Sequence, residues 1–471
     1  MKHYADEKEY NGLQKRGSES PVGRHFAPDP NEPAKAEPAK KADTDRLNKD
    51  GTKRPRTDVP ATPTAPVPKM KAGYAPAFIF AGFILVMMGW FVYNTVSYFS
   101  NGTQKEYEPS EKRILADFPK LTADNSTKTG VDSFLEGYET VSSGKFGKEF
   151  ETFFADHFPA RKFWVGTNAY ATLYEGNNGA NGVYNCGDGY LINTPVPEDN
   201  QIKNNLEILT DFKTDVGNVP MTAMFVPSTG YIANDVLPLI HMTYRDDEYF
   251  DMISSTLKNG GIDFIDLRET FKSEYKNGRQ LYYKTDHHWT TAGAYVGYKQ
   301  LCERLNLTPA AESSFDIEKH DGFYGTTYSK SGFWFTPPDT VEVWKNPNNT
   351  PDKISITIRD GSDEKKQDSM FFYDHDKADD KYPIFIDGNH AYTEITNKNA
   401  KGGTIVVIKD SFSHCMAPFL AENYSKVILV DMRYNTLDIT ALVQQENPEQ
   451  VLVLYGIDNF AEDTDIGHLW G

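Results

Sequence analysis

The stretch from Pro76 to Tyr98 has no charged side chain and is apolar almost throughout, and it constrains the fold more than any other sequence feature. About 20 such residues are enough for an α-helix to span the hydrocarbon core of a membrane. Trp90 and Tyr93 lie toward its C-terminal end, where interfacial aromatic residues gather. The sequence therefore predicts one transmembrane helix over residues 74–99.

The residues before this helix predict a disordered tail. Residues 1–73 carry two Pro-Ala-Lys repeats, many further prolines and few aliphatic side chains, so they cannot repay the entropy of folding. Lys69 and Lys71 precede the apolar stretch, and the positive-inside rule places the tail in the cytoplasm. A cleaved signal peptide is the alternative, but the long tail argues against it. We expect a single-pass protein of the cell membrane, with a stalk over 100–134 and an extracytoplasmic domain over 135–471.

Apolar strands and helical segments alternate along the extracytoplasmic domain. The predicted strands are runs rich in β-branched residues, at 221–227, 262–267, 404–409, 426–431 and 450–455. Because helical segments separate them, the pattern indicates a mainly parallel sheet with helices on both faces. The segment 310–400 contains short β-like runs, and we expect it to form a β-rich insertion outside this sheet, as a subdomain or an extended lid.

The overall composition excludes several classes of partner. The chain has 471 residues, a formal net charge of −18 and three cysteines, and its mean hydropathy is −0.58. An acidic balance argues against a nucleic-acid partner, and a polytopic membrane protein would be far more apolar. Three scattered cysteines supply neither a disulfide framework nor a zinc knuckle, so we expect buried free thiols.

An acidic residue followed by two histidines and a tryptophan occupies Asp286–Trp289. A helical segment follows at 292–305, so we expect a loop that leads into a helix. A carboxylate that accepts a hydrogen bond from one imidazole nitrogen fixes the tautomer, and the other nitrogen can then act as a base. Asp286 and His288 leave the same side of an extended segment. His287 then faces away, with a structural role or a place along the substrate channel.

Ser411 is the candidate nucleophile. It follows the predicted strand 404–409, and open α/β sheets hold their sites at the carboxyl ends of strands. A serine at this point is also a common helix N-cap. The combination with Asp286 and His288 is what favours catalysis.

Three motifs carry a resemblance to a known family: TDHHW at 285–289, KDSFSHCMAPFL at 409–420 and DMRY at 431–434. They resemble the DHHW family, relatives of SGNH/GDSL-type hydrolases that are similar to proteins that O-acetylate alginate and other exopolysaccharides. The resemblance implies an SGNH-hydrolase-like, flavodoxin-like α/β fold. It implies a triad of Ser411 as nucleophile, His288 as base and Asp286 as the acid that orients it. The order acid, base, nucleophile along the chain implies a circular permutation, since triads are defined by geometry rather than order.

The resemblance also bears on the residues around the triad. The family's usual Gly-Asp-Ser is Lys409-Asp410-Ser411 here, so a lysine replaces the glycine. The backbone N–H of Ser411 is one expected oxyanion donor. The candidates for further oxyanion donation or substrate binding are Arg433, Asn459, Tyr455 and Tyr324.

The function that the resemblance implies is that of an enzyme, a serine-dependent O-acyltransferase or esterase that acts on a cell-surface polysaccharide. Ser411 would take an acetyl group, and a sugar hydroxyl or water would accept it. Acetyl donors such as acetyl-CoA stay in the cytoplasm, so a membrane O-acyltransferase is the implied partner. No cofactor and no metal are expected.

Two other classes of protein stay open. A non-catalytic envelope protein that binds carbohydrate or acts as a scaffold would carry a degenerate triad, and Lys409 in place of glycine keeps that class open. A metal-dependent hydrolase would use Asp286, His287 and His288 as ligands. Three adjacent ligands converge on one ion only with difficulty.

Orientation in the membrane can be tested directly. Protease added to intact spheroplasts should remove the domain after Asn101 and spare the N-terminal tail, because the flanking lysines precede the apolar stretch. Epitope tags at the two ends, detected before and after permeabilisation, report the two parts separately. Loss of the tail with protection of the domain would reverse the predicted orientation.

Overall fold

The computed structural model describes residues 75–100, 107–108, 111–122, 129–196 and 199–471. The tail predicted over 1–73 lies outside the described residues. The described residues form a mixed α/β fold in which helices cover both faces of one large sheet.

Helices and strands alternate through most of the described chain. The helices are α1 Ala75–Ser100, α2 Val131–Ser142, α3 Lys145–Asp156, α4 Arg161–Tyr174, α5 Asp199–Val216, α6 Thr229–Ile232, α7 Asp246–Asn259, α8 Arg268–Lys276, α9 Thr291–Arg304, α10 Thr326–Ser331, α11 Ala417–Asn423, α12 Ile439–Glu446 and α13 Ile457–Glu462. The strands are β1 Tyr107–Glu108, β2 Arg113–Ile114, β3 Gly179–Ala180, β4 Val183–Asn185, β5 Leu191–Asn193, β6 Met221–Val226, β7 Asp263–Asp266, β8 Asp316–Phe323, β9 Asp339–Lys345, β10 Ile354–Asp360, β11 Asp363–Gln367, β12 Tyr392–Asn397, β13 Gly402–Lys409, β14 Tyr424–Asp431 and β15 Gln450–Gly456. Short 3-10 helices lie at Gly187–Gly189, Asn234–Val236, Glu312–Ser314, Tyr373–Lys377, Tyr382–Ile384, Ser411–Ser413 and Ile466–Leu469.

The main sheet has eight strands in the order β11-β10-β12-β14-β13-β15-β6-β7. In this order, neighbouring strands among β14, β13, β15, β6 and β7 pair in parallel. Neighbouring strands among β11, β10, β12 and β14 pair antiparallel. The parallel strands β13, β14 and β15 are apolar runs, as strands buried on both faces usually are. Their carboxyl ends, at Lys409, Asp431 and Gly456, lie at the same end of the sheet and lead into the segments that build the site.

Side-chain alternation along β13 divides the core into two layers. Ile405 and Val407 belong to a buried cluster that includes Trp289, beside α9. Val406 belongs to the cluster on the other face, which includes Phe250 of α7. Burying each side chain of this size contributes about 1.5–3 kcal/mol, so both faces of the sheet depend on the alternation.

The segment 310–400 differs from the prediction. Only β8 and β9 form a separate two-stranded sheet, whereas β10, β11 and β12 extend the main sheet on its antiparallel side. The prediction of an excursion was wrong for these three strands, because Ile356 and Ile395 belong to the main core. The exposed outer strand β11 is charged at most positions, a composition that protects sheet edges from further pairing.

The predicted stalk over 100–134 is partly bound to the domain, which corrects that prediction for residues 111–115. Arg113 is 4% exposed, and its Nη1 and Nη2 donate to the two carboxylate oxygens of Asp156 at 2.6 and 2.5 Å. Its Nε donates to Glu111 at 2.8 Å. Burial by itself raises the pKa of Asp156, but Arg113 holds it below its usual value. These charges form buried ion pairs rather than a solvated linker.

The apolar stretch forms α1, and Pro76–Ser100 is the one helix in the described ranges that is long and apolar enough to cross a membrane. Further along the chain, α3 and α4 are two separate helices rather than one continuous helix. Pro159 lacks a backbone N–H, and Ala160 has a φ of 54°, so the helix cannot continue through these residues.

The buried ion pair predicts a large effect on stability. Asp156→Ala removes the carboxylate that accepts two hydrogen bonds from the buried Arg113 guanidinium and leaves only its bond to Glu111. Breaking a buried ion pair in this way typically costs about 3–5 kcal/mol. Thermal unfolding of the full chain in detergent measures the loss. As a control, Asp263→Ala removes the partner of the half-exposed Arg304 and should cost less than about 1 kcal/mol. Equal effects of the two substitutions would contradict this account.

Candidate active site

The loop that carries Asp286 is anchored by Asp339, the first residue of β9. The Asp339 carboxylate accepts hydrogen bonds from the backbone N–H groups of Lys284 and Thr285, at 3.0 and 2.7 Å, and from the Thr285 hydroxyl at 2.7 Å. Burial raises the pKa of Asp339 in spite of these hydrogen bonds. Three hydrogen bonds to one buried carboxyl group therefore hold the start of the loop.

Trp289 fixes the other end of the same loop. Its indole is fully buried, and its Nε1–H donates to the carbonyl of Phe412 at 2.8 Å. The Thr290 side chain then caps α9 by accepting a hydrogen bond from the Gly293 backbone N–H at 3.1 Å. A Cβ at Gly297 would lie 2.9 Å from the Trp289 ring, so helix and indole are in close contact. The tryptophan thus links the loop to the residues that follow β13.

Asp286 is a carboxylate with 2% of its surface exposed. Its Oδ1 accepts hydrogen bonds from the His288 backbone N–H at 2.9 Å and from His288 Nδ1–H. Its Oδ2 accepts from the Thr326 backbone N–H at 2.6 Å and from the Thr326 hydroxyl at 2.9 Å. Burial by itself raises the pKa of Asp286, but the imidazoles of His288 and His287 hold it well below its usual range. Asp286 is therefore ionised at neutral pH.

His288 connects Asp286 to Ser411. With Nδ1–H donating to Asp286, Nε2 accepts a hydrogen bond from the Ser411 hydroxyl at 2.7 Å. We call these three hydrogen-bonded side chains the Ser411 relay, and all three are buried. A neutral imidazole with its lone pair directed at a serine hydroxyl is the geometry that proton removal requires.

Tyr382, from the segment 310–400, packs flat against the Ser411 relay. Its ring stacks on the His288 imidazole with centroids 4.2 Å apart and planes 14° apart. Its hydroxyl donates to the Ser411 carbonyl at 3.1 Å. Tyr382 therefore restricts rotation of the imidazole and fixes the backbone that presents the serine.

Asp410 shapes the turn that presents Ser411. Its carboxylate accepts hydrogen bonds from the Phe412 backbone N–H at 2.9 Å, the Gly456 backbone N–H at 2.8 Å and the Asn459 side chain at 2.8 Å. Burial raises the pKa of Asp410 to about 6 although these donors oppose the shift. The carboxyl ends of β13 and β15 are thereby joined beneath the serine.

Lys409, which the sequence analysis compared with the glycine of the usual Gly-Asp-Ser pattern, is directed into the protein rather than toward solvent. It is 1% exposed, and its Nζ donates to Asp431 at 2.8 Å and to His414 Nε2 at 2.9 Å. Burial and the charge of Lys409 hold the pKa of His414 well below its usual value. The Asp431 carboxylate also accepts hydrogen bonds from Arg433 Nε and Nη2, at 2.9 and 2.7 Å.

The four residues predicted around the triad have different environments. The Arg433 guanidinium is bonded to Asp431, and the Asn459 amide is bonded to Asp410, so their oxyanion roles stay predictions. Tyr324 stacks against Tyr328, with ring centroids 4.3 Å apart, and its contact with a sugar also stays a prediction.

The substrate contact predicted for Tyr455 was wrong. Its side chain is 2% exposed and belongs to the core layer of Val453 and Phe460. Trp289 and Phe412, at the Ser411 relay, belong to the layer on the opposite face of the sheet. Successive side chains along a strand point to opposite faces of the sheet. Tyr455 therefore lies on the face opposite the site, although its neighbours in the sequence lie on the face of the site.

His287 lies beside the relay without belonging to it. Its ring centroid is 3.9 Å from that of His288, and its Nδ1 is 2.5 Å from the Thr326 hydroxyl. The side-chain ligand atoms of Asp286, His287 and His288 lie within 4.8 Å of one another, close enough for a metal site. Both ring nitrogens of His288 are already hydrogen-bonded to protein groups, and this geometry favours the relay.

Sequence analysis missed several residues that hold the site. Thr326 follows Gly325 at the start of α10, and a threonine beside a glycine at a helix start is a recognisable local signal. Asp339 and Tyr382 are far from all three motifs and have no such signal. Only the folded segment 310–400 brings them to the loop.

Comparisons with known proteins agree with this fold. The model of the DHHW protein family matches residues 223–430, which confirms the family resemblance predicted from the sequence. None of the curated proteins compared with this chain matches it.

Solved structures share the fold of about three fifths of this chain. A DHHW family protein from Eubacterium siraeum is 20% identical with a TM-score of 0.51, and the match covers 62% of this chain and 95% of that one. PatB1 from Bacillus cereus is 21% identical with a TM-score of 0.50, over 59% of this chain and 97% of that one. PatB1 with a sulfonyl adduct is 19% identical with a TM-score of 0.51, over 60% and 97%.

Gly325 allows a test of the buried carboxylate. A Cβ at this position would lie 2.1 Å from the Cβ of Asp286, so Gly325→Ala must displace either α10 or Asp286. We expect labelling of Ser411 by a serine-directed reagent to slow by about tenfold or more, since orientation of the base is lost. Mass spectrometry of the labelled peptide measures the rate.

Gly147→Ala is the matched control for this substitution. Gly147 lies in α3 with no atom within 4 Å of the added Cβ, so its labelling rate should match that of the wild type. Equal rates for the two variants would show that close approach of α10 to Asp286 is not needed for the reactivity of Ser411.

Proposed function

We propose that this protein is a membrane-anchored O-acyltransferase or esterase whose extracytoplasmic domain acts on a cell-surface polysaccharide through Ser411. The observation that carries the proposal is the Ser411 relay, in which one buried imidazole joins the serine hydroxyl to an ionised carboxylate. The DHHW family match supports the same class. An acetyl group is the acyl group that the family resemblance implies.

The chemistry proceeds in two steps. In the first, Ser411 Oγ attacks the carbonyl carbon of the acyl donor while His288 Nε2 takes the hydroxyl proton. The ionised Asp286 stabilises the imidazolium that forms and keeps its orientation. His288 then gives the proton to the leaving oxygen of the donor, and the acyl group stays on Ser411 as an ester.

The second step transfers the acyl group to the acceptor. His288 removes the proton of a sugar hydroxyl or of water, whose oxygen attacks the Ser411 ester. The proton returns to Ser411 Oγ as the new ester, or the free acid, departs. Backbone N–H groups near Ser411 are the proposed donors to the oxyanion in both steps, because charge develops on the carbonyl oxygen each time.

The surroundings of the relay support an enzyme over a non-catalytic scaffold. Asp339 and Thr326 form hydrogen bonds that orient the loop and its carboxylate. Tyr382 stacks on the imidazole and orients it. A carbohydrate-binding protein with a degenerate site would gain nothing from a buried, charged Asp286. The sulfonyl adduct of PatB1, which has a similar fold, also supports the use of sulfonyl reagents as probes for this protein.

The relay predicts a specific pattern of variants. An aryl sulfonyl fluoride should label Ser411, and Ser411→Ala and His288→Ala should each abolish labelling. Each substitution should also lower acyl transfer from 4-nitrophenyl acetate by about 10³-fold or more, with little further loss in the double variant, because the residues act as a unit. His287→Ala should cost far less, since only His288 bonds Ser411.

Chelation separates this function from a metal-dependent hydrolase. Activity that is unchanged by EDTA, together with the variant pattern above, supports the serine mechanism. Full activity in Ser411→Ala, or loss of activity on chelation with recovery on adding zinc, would assign the site to a metal ion held by the carboxylate and the two histidines.

A further inference from the structure

A small cavity of about 40 Å³ lies beside the Ser411 relay. Its lining residues include His287, Phe412, Asn459, Ser228, Thr327 and Asp458. Phe412 follows the serine directly, and the His287 ring is 3.9 Å from that of His288. One water position needs roughly 10–15 Å³ of such volume, so the cavity takes a group of two or three non-hydrogen atoms.

Two polar groups in the wall of this cavity have no hydrogen-bond partner among the described residues. The Thr327 hydroxyl is one of them, and its residue is 1% exposed. The Asn193 side-chain oxygen is the other. A buried polar group without a partner is destabilising, so these two groups indicate a ligand that supplies the missing hydrogen bonds.

Acidic residues lie in and around the cavity, and Asp458 is the one that lines it. Asp458 accepts a hydrogen bond from the Ser228 hydroxyl at 2.8 Å, and Asp246 accepts one from the Ser228 backbone N–H at 2.7 Å. Glu462 and Lys330 also act on Asp458, and neither they nor Asp246 line the cavity. This region therefore contains three carboxyl groups, from Asp458, Asp246 and Glu462, and one ammonium group, from Lys330.

Two of these acids change their charge near neutral pH. Burial raises the pKa of Asp458 to about 6. Burial, followed by the charge of Asp458, raises the pKa of Asp246 to about 7. Both acids are mostly protonated at pH 5 and mostly ionised at pH 8.

We propose that this cavity binds a hydroxymethyl group of a neutral acceptor sugar and discriminates against the carboxylate of a uronic acid. The inference rests on the proposed function and names the acceptor class for it. A hydroxyl group donates to Asn193 or Asp458 and accepts from Thr327, so it can satisfy both unpartnered groups. A carboxylate only accepts hydrogen bonds, and it would add a negative charge beside Asp458.

A matched pair of ligands tests this discrimination. Cellotetraose and the β-1,4-linked tetraglucuronate have the same linkage and differ at C6, where a carboxylate replaces each hydroxymethyl group. Binding of both is measured by saturation-transfer NMR with the full-length Ser411→Ala chain in detergent, so that no turnover occurs. At pH 8 the neutral ligand should bind at least tenfold more tightly. The ratio should shrink at least threefold at pH 5, where Asp458 in the cavity wall and Asp246 beside it are mostly protonated and the uronates remain charged.

Two substitutions in the Ser411→Ala background link this preference to the cavity. Asp458→Asn removes the charge but keeps an oxygen that can accept from Ser228, and it should reduce the preference at pH 8 at least threefold. Asp374→Asn changes an exposed acid and should leave the preference as it was. Thr327→Val should weaken binding of cellotetraose about tenfold without lowering the melting temperature, because its hydroxyl makes no hydrogen bond in the unliganded protein.

The outcomes separate this inference from the proposed function. A burst of 4-nitrophenol from 4-nitrophenyl acetate with the wild-type chain reports the acyl-enzyme without any acceptor. A burst with equal binding of the two tetramers, or binding of neither, leaves the function standing and overturns the inference. Binding that EDTA abolishes would also overturn it, because the cavity would then hold a cation. Absence of both the burst and Ser411 labelling would defeat the proposed function, whereas the NMR ratios still decide what the cavity prefers.

Discussion

The buried charge of Asp286 is the constraint on which the site depends. An isolated carboxylate transferred into a protein interior is strongly destabilised unless donors surround it. Here the donors come from its own loop, through His288, and from the start of α10, through Thr326. Close approach of α10 requires a glycine at 325, since any side chain there would collide with Asp286. The charge therefore fixes the positions of two separate segments and the tautomer of the imidazole at the same time.

The main sheet positions the third segment of the site, which carries Ser411, close to the charge of Asp286. Parallel pairing of β13 with β14 and β15 aligns their carboxyl ends, and Asp410 bonds the end of β13 to Gly456 at the end of β15. The serine follows at the end of β13, where parallel sheets expose functional groups. Trp289 then joins the two halves, because its indole is buried beside α9 and bonds the Phe412 carbonyl. The circular permutation implied by the family resemblance is compatible with this order and stays a prediction.

The sequence allowed correct inference of elements whose signals are local. The apolar runs of β6, β13, β14 and β15 identify buried strands, and their bounds agree with the structure to within about two residues. Asp286, His288 and Ser411 were found because each lies inside a short motif. Long-range contacts were not accessible in this way. Nothing near Tyr382 marks a residue that stacks on an imidazole 94 positions earlier in the chain, and Tyr455 was misassigned because a strand of seven buried residues gives no indication of which face each one occupies.

The lysine at position 409 shows how a charged residue beside the serine can be accommodated in the protein interior. Burying an ammonium group is costly unless a carboxylate and further acceptors surround it. Asp431, at the end of the neighbouring strand, supplies the carboxylate, and His414, kept neutral by burial and by Lys409 itself, supplies a lone pair. Arg433 bonds the same Asp431, so a lysine and an arginine share one acid below the serine. The oxyanion role of Arg433 stays a prediction, and any such role has to be compatible with its hydrogen bonds to Asp431. The backbone N–H groups around Ser411 are the other proposed oxyanion donors.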